Sequence, residues 1–369
     1  MLSVSCDPLV SVVIPAYNAE RFIGLTLASV IGQTYHNIEV IVVDDGSSDN
    51  TASIARNYCD QDERIQLFQQ PNAGVAEARN FGIKQTRGTF IAPLDADDIW
   101  YSENLEMQVK MFLSAGSEVG LVYSWWNNID ERGKHTGSVQ AARIQGKVHT
   151  TLLLHDFIAN ASSVLIRRSC LEQLGGYDSN LRLHHGQGGE DWDLYLRIAS
   201  KYEFRFVPKI LIGYRKVTCS MSTDSMQMAR SRELIWKKIN DRYPRIPPCL
   251  EKLSNSSYYL HLAAQKARDR KYLSAAYWVL KALRLSPIAT LLNPGFFHVI
   301  AAVPTGLFLQ SLPIQALSVP NQRLNQVNHA QAAVGLGPLS GKTWGLKTTA
   351  ELMLHAFASS AFRSADQWI

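Results

Sequence analysis

Cysteine is scarce and scattered in this 369-residue chain: Cys6, Cys59, Cys170, Cys219 and Cys249. No pair stands at metal-ligand spacing and no disulfide framework is visible, so a reducing compartment is expected. The first residues, Met1 to Pro8, carry neither a basic run nor an apolar stretch, and no secretory signal is expected there. No G-x-G-x-x-G follows the first apolar run; Pro15-Ala16-Tyr17-Asn18 stands in its place, which argues against a dinucleotide-dependent oxidoreductase. No glycine-rich basic phosphate loop lies near the N-terminus, which argues against a nucleotidyltransferase. Leu285–Gln322 contain no Lys, Arg, Asp or Glu. Inside that stretch Phe296–Leu309 is strongly apolar, but His298, Pro304 and Gly306 interrupt it. A membrane span needs ~20 mostly apolar residues, so an interfacial or re-entrant segment fits better than a span.

What is present describes a folded protein: 46% hydrophobic and 19% charged residues. Charge is uneven. Residues 1–229 carry a net −6, residues 230–284 a net +9 and residues 285–369 a net +2. The basic segment 230–284 suggests an anionic partner, membrane headgroups or nucleic acid, the other reading being a solvated helical surface.

Short β-branched runs alternate with helical spacing through the first half. Strands are expected at Val10–Ile14, Ile38–Val43, Ile65–Gln69, Thr89–Leu94 and Val119–Trp125. Helices are expected at 19–33, 50–58, 75–86 and 103–114. This alternation predicts an α/β fold with a mostly parallel sheet. From Trp126 to His149 the pattern weakens and reads as a hairpin or loop insertion. Ser162–Ile166 and Phe204–Val207 read as further strands, and Glu190–Ser200 as a helix. After Thr223 the chain becomes helical: Met226–Tyr243, then a hairpin of Ser256–Arg270 and Tyr272–Leu285, and a last amphipathic helix at Thr343–Phe362. The domain boundary is expected near residue 225, with 1–225 catalytic and 226–369 a mainly α-helical extension.

Three acidic clusters punctuate the α/β part: Asp44-Asp45 after the second strand, Asp95-Ala96-Asp97-Asp98 after the fourth, and Glu190-Asp191 after Gly188-Gly189. Carboxylates at strand ends can meet at one sheet edge, where open α/β sheets bind ligands. Such a cluster suits a divalent cation and, through it, a diphosphate, with a carboxylate left over to take a proton.

Val12-Val13-Ile14-Pro15-Ala16-Tyr17-Asn18, Asp44-Asp45-Gly46-Ser47-Ser48-Asp49, Asn72-Ala73-Gly74-Val75-Ala76-Glu77-Ala78-Arg79-Asn80 and Asp95-Ala96-Asp97 follow one another in order. Together they resemble the family 2 inverting glycosyltransferases of the GT-A fold, over about residues 9–220. The resemblance implies a Rossmann-like catalytic domain and a nucleoside-diphosphate-sugar donor, most simply a UDP-sugar. It implies that Pro15 and Tyr17 line the base pocket, that Asp45 accepts the imide proton of uracil or thymine, and that Arg79 reaches the base or diphosphate. Asp95-Ala96-Asp97 matches the family's DXD motif: Asp97 would hold Mg²⁺ or Mn²⁺, and Asp95 the ribose or the metal shell. Glu190-Asp191-Trp192 matches its ED motif, making Asp191 the catalytic base with Glu190 beside it. A carboxylate at a helix N-terminus is favoured in its charged form, so a weak, ionised base is expected. Arg215 is expected near the diphosphate. His184-His185 read as surface-loop histidines.

The Gln/Arg-x-x-Arg-Trp motif of processive members is absent, which implies transfer of one sugar. The acceptor would be a surface glycan or a lipid-linked oligosaccharide, and nucleic acid is not an expected partner. The expected location is cytoplasmic and peripheral on the inner membrane face. The alternative is a catalytically inactive nucleotide-sugar-binding protein on the same fold, against which the intact Asp45, Asp95, Asp97 and Asp191 argue.

Overall fold

The computed structural model describes residues 7–184, 188–217, 224–293, 295–297 and 299–300. The front of the chain alternates: β1 (Val10–Ala16), α1 (Ile23–Ile31), β2 (Ile38–Asp44), α2 (Thr51–Cys59), β3 (Ile65–Gln69), α3 (Val75–Gln85) and β4 (Phe90–Pro93). There follow β5 (Ile99–Trp100), α4 (Asn104–Ser114), β6 (Val119–Ile129), β7 (His135–Gln140), α5 (His149–Leu154), β8 (Val164–Arg167), α6 (Arg168–Leu174), α7 (Asn180–Leu183), α8 (Glu190–Ala199) and β9 (Glu203–Arg215). The chain continues as α9 (Ser225–Arg242), α10 (Pro248–Arg268), α11 (Tyr272–Leu285) and α12 (Pro287–Leu292).

Among the described residues the strands form one sheet in the order β3-β2-β1-β4-β8-β6-β9-β5, with β7 paired to β6. β3, β2, β1 and β4 run parallel. β8 enters antiparallel to both β4 and β6, while β6 and β9 are parallel to each other. β1 and β2 are buried along their whole length. That is why they are near-continuous apolar runs, as strands covered on both faces must be. β2 shows the two faces: Val40 and Val42 join the larger core with α1, while Ile41 and Val43 meet Ala78 of α3. The chain leaves β1 toward β2 and β3, then returns to place β4 on β1's other side. This reversal opens a crevice beyond the carboxyl ends of β1 and β4.

The strand ends differ from the sequence reading in an instructive way. β6 continues to Ile129, four residues past Trp125, and β9 continues to Arg215 rather than stopping at Val207. Trp126-Asn127-Asn128 is polar enough to hide a strand. Pairing with β7 on one side and β9 on the other carries it into the sheet. The 126–149 region does contain a hairpin, β6–β7. α10 starts at Pro248 instead of Ser256, because proline at the first helical position starts a helix well.

Gly82 sets how closely α3 approaches the sheet. A Cβ there would stand 2.6 Å from Val13 Cγ1 and 3.2 Å from Val43 Cγ2. Gly82→Ala is expected to destabilise the protein by about 1–3 kcal/mol, the usual cost of overpacking. Urea denaturation checks this, and an unchanged midpoint would mean that α3 can back away freely.

By internal contacts the chain divides into two compact units: Met1–Leu152 with Asp156–Ile235, and Leu153–His155 with Trp236–Ile369. In the second, α10 and α11 form the hairpin. Trp278 is 1% exposed and packs on Tyr259 at 5.3 Å between ring centroids. No helix among the described residues is long and apolar enough to cross a membrane. Most of Phe296–Leu309 and all of Thr343–Phe362 lie outside the described residues, as does His185.

Candidate active site

Two of the three acidic clusters, those of Asp95 and of Glu190-Asp191, converge on one buried guanidinium. Arg79 stands on α3 and is 2% exposed. Its Nη2 donates to Asp95 Oδ1 at 2.6 Å; its Nη1 donates to Asp191 Oδ1 at 2.9 Å and to Glu190 Oε1 at 3.1 Å. The Tyr177 ring lies 5.0 Å from the guanidinium carbon. Burial opposes the Arg79 charge, but Asp191, Asp95 and Glu190 outweigh it and hold the side chain firmly protonated. Its Nε has no partner. Arg79 is therefore the common cation of these three carboxylates.

Three chain segments deliver these groups. α3 supplies Arg79. The loop leaving β4 supplies Asp95, and its Asp98 anchors that loop: Asp98 accepts from Ser162 Oγ at 2.6 Å and from the Arg215 amide at 2.9 Å. Ser162 Oγ also accepts from the Asp95 amide at 3.1 Å, so one buried serine braces both ends of the acidic run. The start of α8 supplies Glu190 and Asp191. The chain enters α8 through Gly188 and Gly189, both at positive φ (79° and 90°). Glycine is the residue that adopts two such conformations in succession without a Cβ penalty.

The acids are not equivalent. Asp95 Oδ1 is held by Arg79, while its Oδ2 has no hydrogen bond and the side chain is 30% exposed. Burial, and then the charge of Asp95, push the Asp97 carboxyl up to about 6. Asp98 is fully buried and pushed well up by burial and by Asp97 and Asp95. For Asp191, burial again raises the pKa, Arg79 lowers it, and Glu190 and Asp95 raise it, with the net direction well up. One guanidinium shared among three carboxylates leaves excess negative charge, and the helix N-terminus does not offset it. Asp191 is thus a stronger base than its helix position alone suggests, which corrects the expectation of a weak one.

Asp95 and Asp97 suit a hard cation. They offer carboxylate oxygens in a field negative enough to raise Asp97. No group of three or more His, Cys, Asp or Glu among the described residues is gathered for a metal. Mg²⁺ and similar ions are commonly held by one or two carboxylates, with phosphate and water completing the shell.

The remaining expected site residues fall at the same edge. Pro15 is buried in β1 and Tyr17 is 54% exposed just beyond it. Asn18, at φ 48°, accepts from the Ser48 amide at 2.9 Å and clasps the two neighbouring loops together. Asp45 is 3% exposed and already engaged: Gln70 Nε2 at 2.7 Å, the Ala73 amide at 2.8 Å and the Gly74 amide at 2.8 Å donate to it. It fixes the turn that starts α3, and so the base of Arg79. Arg215 is 2% exposed; its Nε donates to the Asp97 carbonyl and its Nη1 to the Asp130 and Glu131 carbonyls. Its guanidinium holds these three backbone carbonyls. His184 is exposed. Sequence reasoning missed Ser162, Tyr177 and Asn160. Asn160 is 4% exposed; its Oδ1 accepts from the Ser162 amide, its carbonyl accepts from Tyr195 Oη, and its Nδ2 has no partner. The Asn160-Ala161-Ser162-Ser163 run was readable as a cap before β8; Tyr177 carries no such signal.

The sequence model described as Glycosyl transferase family 2 matches residues 11–175. An uncharacterized glycosyltransferase of Rickettsia typhi is 30% identical over 234 residues, covering 62% of this chain and 71% of the relative. The chain belongs to glycosyl transferase family 2. It is therefore a glycosyltransferase. Over 108 residues it is 48% identical to an Escherichia coli protein named UDP-Glc:alpha-D-GlcNAc-diphosphoundecaprenol beta-1,3-glucosyltransferase WfgD, covering 29% of this chain and 42% of that one. Across the Rickettsia relatives that it matches, this family 2 chain spans from 27% to 71% of their length. Among solved structures it is similar to the Pyrobaculum calidifontis mannosyltransferase PcManGT, determined in complex with GDP-Man and Mn²⁺: TM-score 0.51 and 19% identity, over 97% of this chain and 88% of that one. That likeness is one of fold, and the fold is GT-A.

Proposed function

We propose that this family 2 glycosyltransferase moves one sugar from a nucleoside-diphosphate sugar, a UDP-sugar, to a hydroxyl of a glycan or lipid-linked acceptor, with inversion at the anomeric carbon. The observation that carries this reading is the bridge from Arg79 to Asp95 on one side and to Glu190 and Asp191 on the other. It holds Asp95 and Asp191 within hydrogen-bond reach of the two terminal nitrogens of one buried guanidinium, which supports a metal role for the first and a base role for the second. The WfgD relative, whose name specifies UDP-Glc and a diphosphoundecaprenol-linked acceptor, supports the donor and acceptor classes. Residues 1–225 would hold the catalytic machinery and residues 226–369 the helical extension. The acceptor would be met at the cytoplasmic face of a membrane.

In the reaction, Asp191 takes the proton of the acceptor hydroxyl. The hydroxyl oxygen bonds to the anomeric carbon as the bond from that carbon to the diphosphate oxygen breaks, and the electron pair leaves with the diphosphate. One displacement needs one base and no covalent enzyme intermediate. Arg79 fixes the Asp191 carboxylate, Glu190 accepts from the same Arg79 nitrogen, and the Tyr177 ring lies against the guanidinium. Asp95 and Asp97 would hold Mg²⁺ or Mn²⁺, which when bound offsets the charge developing on the diphosphate. Pro15 and Tyr17 would bound the base pocket. Asp45, with one lone-pair direction left after its three hydrogen bonds, would meet the imide of the base.

A thermal-shift panel tests this. UDP with Mn²⁺ is expected to raise the melting temperature, at a hundredfold excess over its dissociation constant by the equivalent of ~2.7 kcal/mol, and UDP with EDTA is expected to do much less. A metal-dependent response to another nucleoside diphosphate would change the donor and keep the reaction. Silence toward every diphosphate would overturn the proposal.

A further inference from the structure

Large apolar side chains left in solvent are concentrated in one place. Leu273, Tyr277, Leu280, Ile288, Leu291, Leu292, Phe297 and Ile300 are all 42–76% exposed. Elsewhere among the described residues such exposure is confined to Tyr17, Leu25, Leu113 and Met226. On α11 the exposed residues recur at helical spacing: Leu273, Tyr277, Leu280 and then Arg284 lie along one face. The opposite face, Ala275, Trp278, Val279 and Ala282, is buried. α11 thus has two apolar faces, of which one builds the hairpin. On α12, Ile288, Leu291 and Leu292 also share a face. A soluble surface rarely carries so many contiguous apolar residues without an occupant.

We infer that this face of α11 and α12 docks on an anionic lipid surface, lying in the headgroup layer without crossing it. Charge selects that occupant. From residue 266 to residue 284, Lys266, Arg268, Arg270, Lys271, Lys281 and Arg284 stand against a single acid, Asp269. Lys281 Nζ lies 5.6 Å from the Tyr277 ring centroid and 5.5 Å from that of Trp278, which places a cation and aromatic rings at the same level. Apolar residues flanked by cations and an amphipathic tyrosine match the layered chemistry of a membrane interface. A second copy of this chain would bring the same positive charge face to face. The chain's own residues 301–369, with four Lys/Arg against two acids, offer no complement either. The uncharged stretch Leu285–Gln322 runs on directly from the patch, as a lipid-facing segment requires. This deepens the proposal that the acceptor is met at a membrane. Its test is independent of nucleotide binding, so either can fail alone.

The test is co-sedimentation of the full chain with vesicles of phosphatidylglycerol and phosphatidylcholine, and with phosphatidylcholine alone. Binding is expected on the anionic vesicles, weaker by about tenfold on neutral ones and weakened by added salt. Leu280→Asp with Leu292→Asp is expected to lower anionic-vesicle binding by about tenfold or more, with melting temperature and UDP response unchanged. Four outcomes overturn the inference. Wild type binds neither vesicle, or the double variant binds as well as wild type. The double variant dissociates an oligomer, which assigns the face to a second copy. Or it melts well below wild type without vesicles, which shows the face already covered within the full chain.

Discussion

Asp191→Asn is expected to lower kcat by about 10²–10⁴-fold, the range for losing a positioned general base, while UDP–Mn²⁺ binding measured by calorimetry stays near wild type. The substitution keeps the side chain's shape and an oxygen for Arg79 Nη1 to donate to, so it removes basicity and little else. Full turnover in this variant would end the assignment of Asp191 as base. A pH profile gives a second readout. Burial pushes the Asp191 pKa up and Arg79 pulls it down, while Glu190 and Asp95 add to the rise. The carboxylate must be ionised to accept a proton, so kcat/KM is expected to fall on the acid side at a pH above the ordinary carboxylate value of about 3.9. The same shift has a stability sign. A carboxylate whose folded pKa is raised costs stability above that pKa, and the cost disappears as pH falls below the unfolded value.

Arg79→Ala is expected to destabilise the protein by about 3–5 kcal/mol, the cost of breaking a buried ion pair by deleting one partner. Arg79 is 2% exposed and faces Asp95, Glu190 and Asp191, of which Glu190 is also almost fully buried. Without it the three carboxylates repel one another with no cation between them. Arg79→Lys is expected to recover only part of the loss. One ammonium cannot direct a nitrogen at Asp95 and another at Glu190 and Asp191, as the planar guanidinium does. Urea denaturation of the two variants measures both effects. A loss under about 0.5 kcal/mol in Arg79→Ala, typical of an ordinary surface position, would contradict the role given to this residue.

Much of this architecture was legible in the residues, for physical reasons that can be named. β1 and β2 are buried on both faces, so their apolar runs are unbroken and easily read. The loops after β2 and β4 carry acids because strand ends are where backbone turns meet ligands, and family resemblance added their roles. What stayed hidden depends on long-range pairing. Asn127 and Asn128 look like a turn and are strand because β7 and β9 lie alongside. Arg79 reads, by resemblance, as a contact to base or diphosphate, and its bonds to carboxylates 16, 111 and 112 residues away are visible only in the fold. Arg215 was placed near the right loop, but its work on the Asp97, Asp130 and Glu131 carbonyls is visible only in three dimensions. Asp45 shows the same limit: the sequence marks it as an acceptor, and the fold supplies donors from its own backbone.

The Arg79 bridge also orders events in time. When only residues 1–175 have emerged during synthesis, α3 and the Asp95 loop are out, but Glu190 and Asp191 are not yet free to reach them. In that interval Arg79 has one of its three carboxylates. Contacts more than a hundred residues apart form late, since the chain between their ends must first be gathered. Refolding from denaturant should therefore restore helical signal before it restores turnover. The three carboxylates gather around Arg79 only once segments more than a hundred residues apart have met.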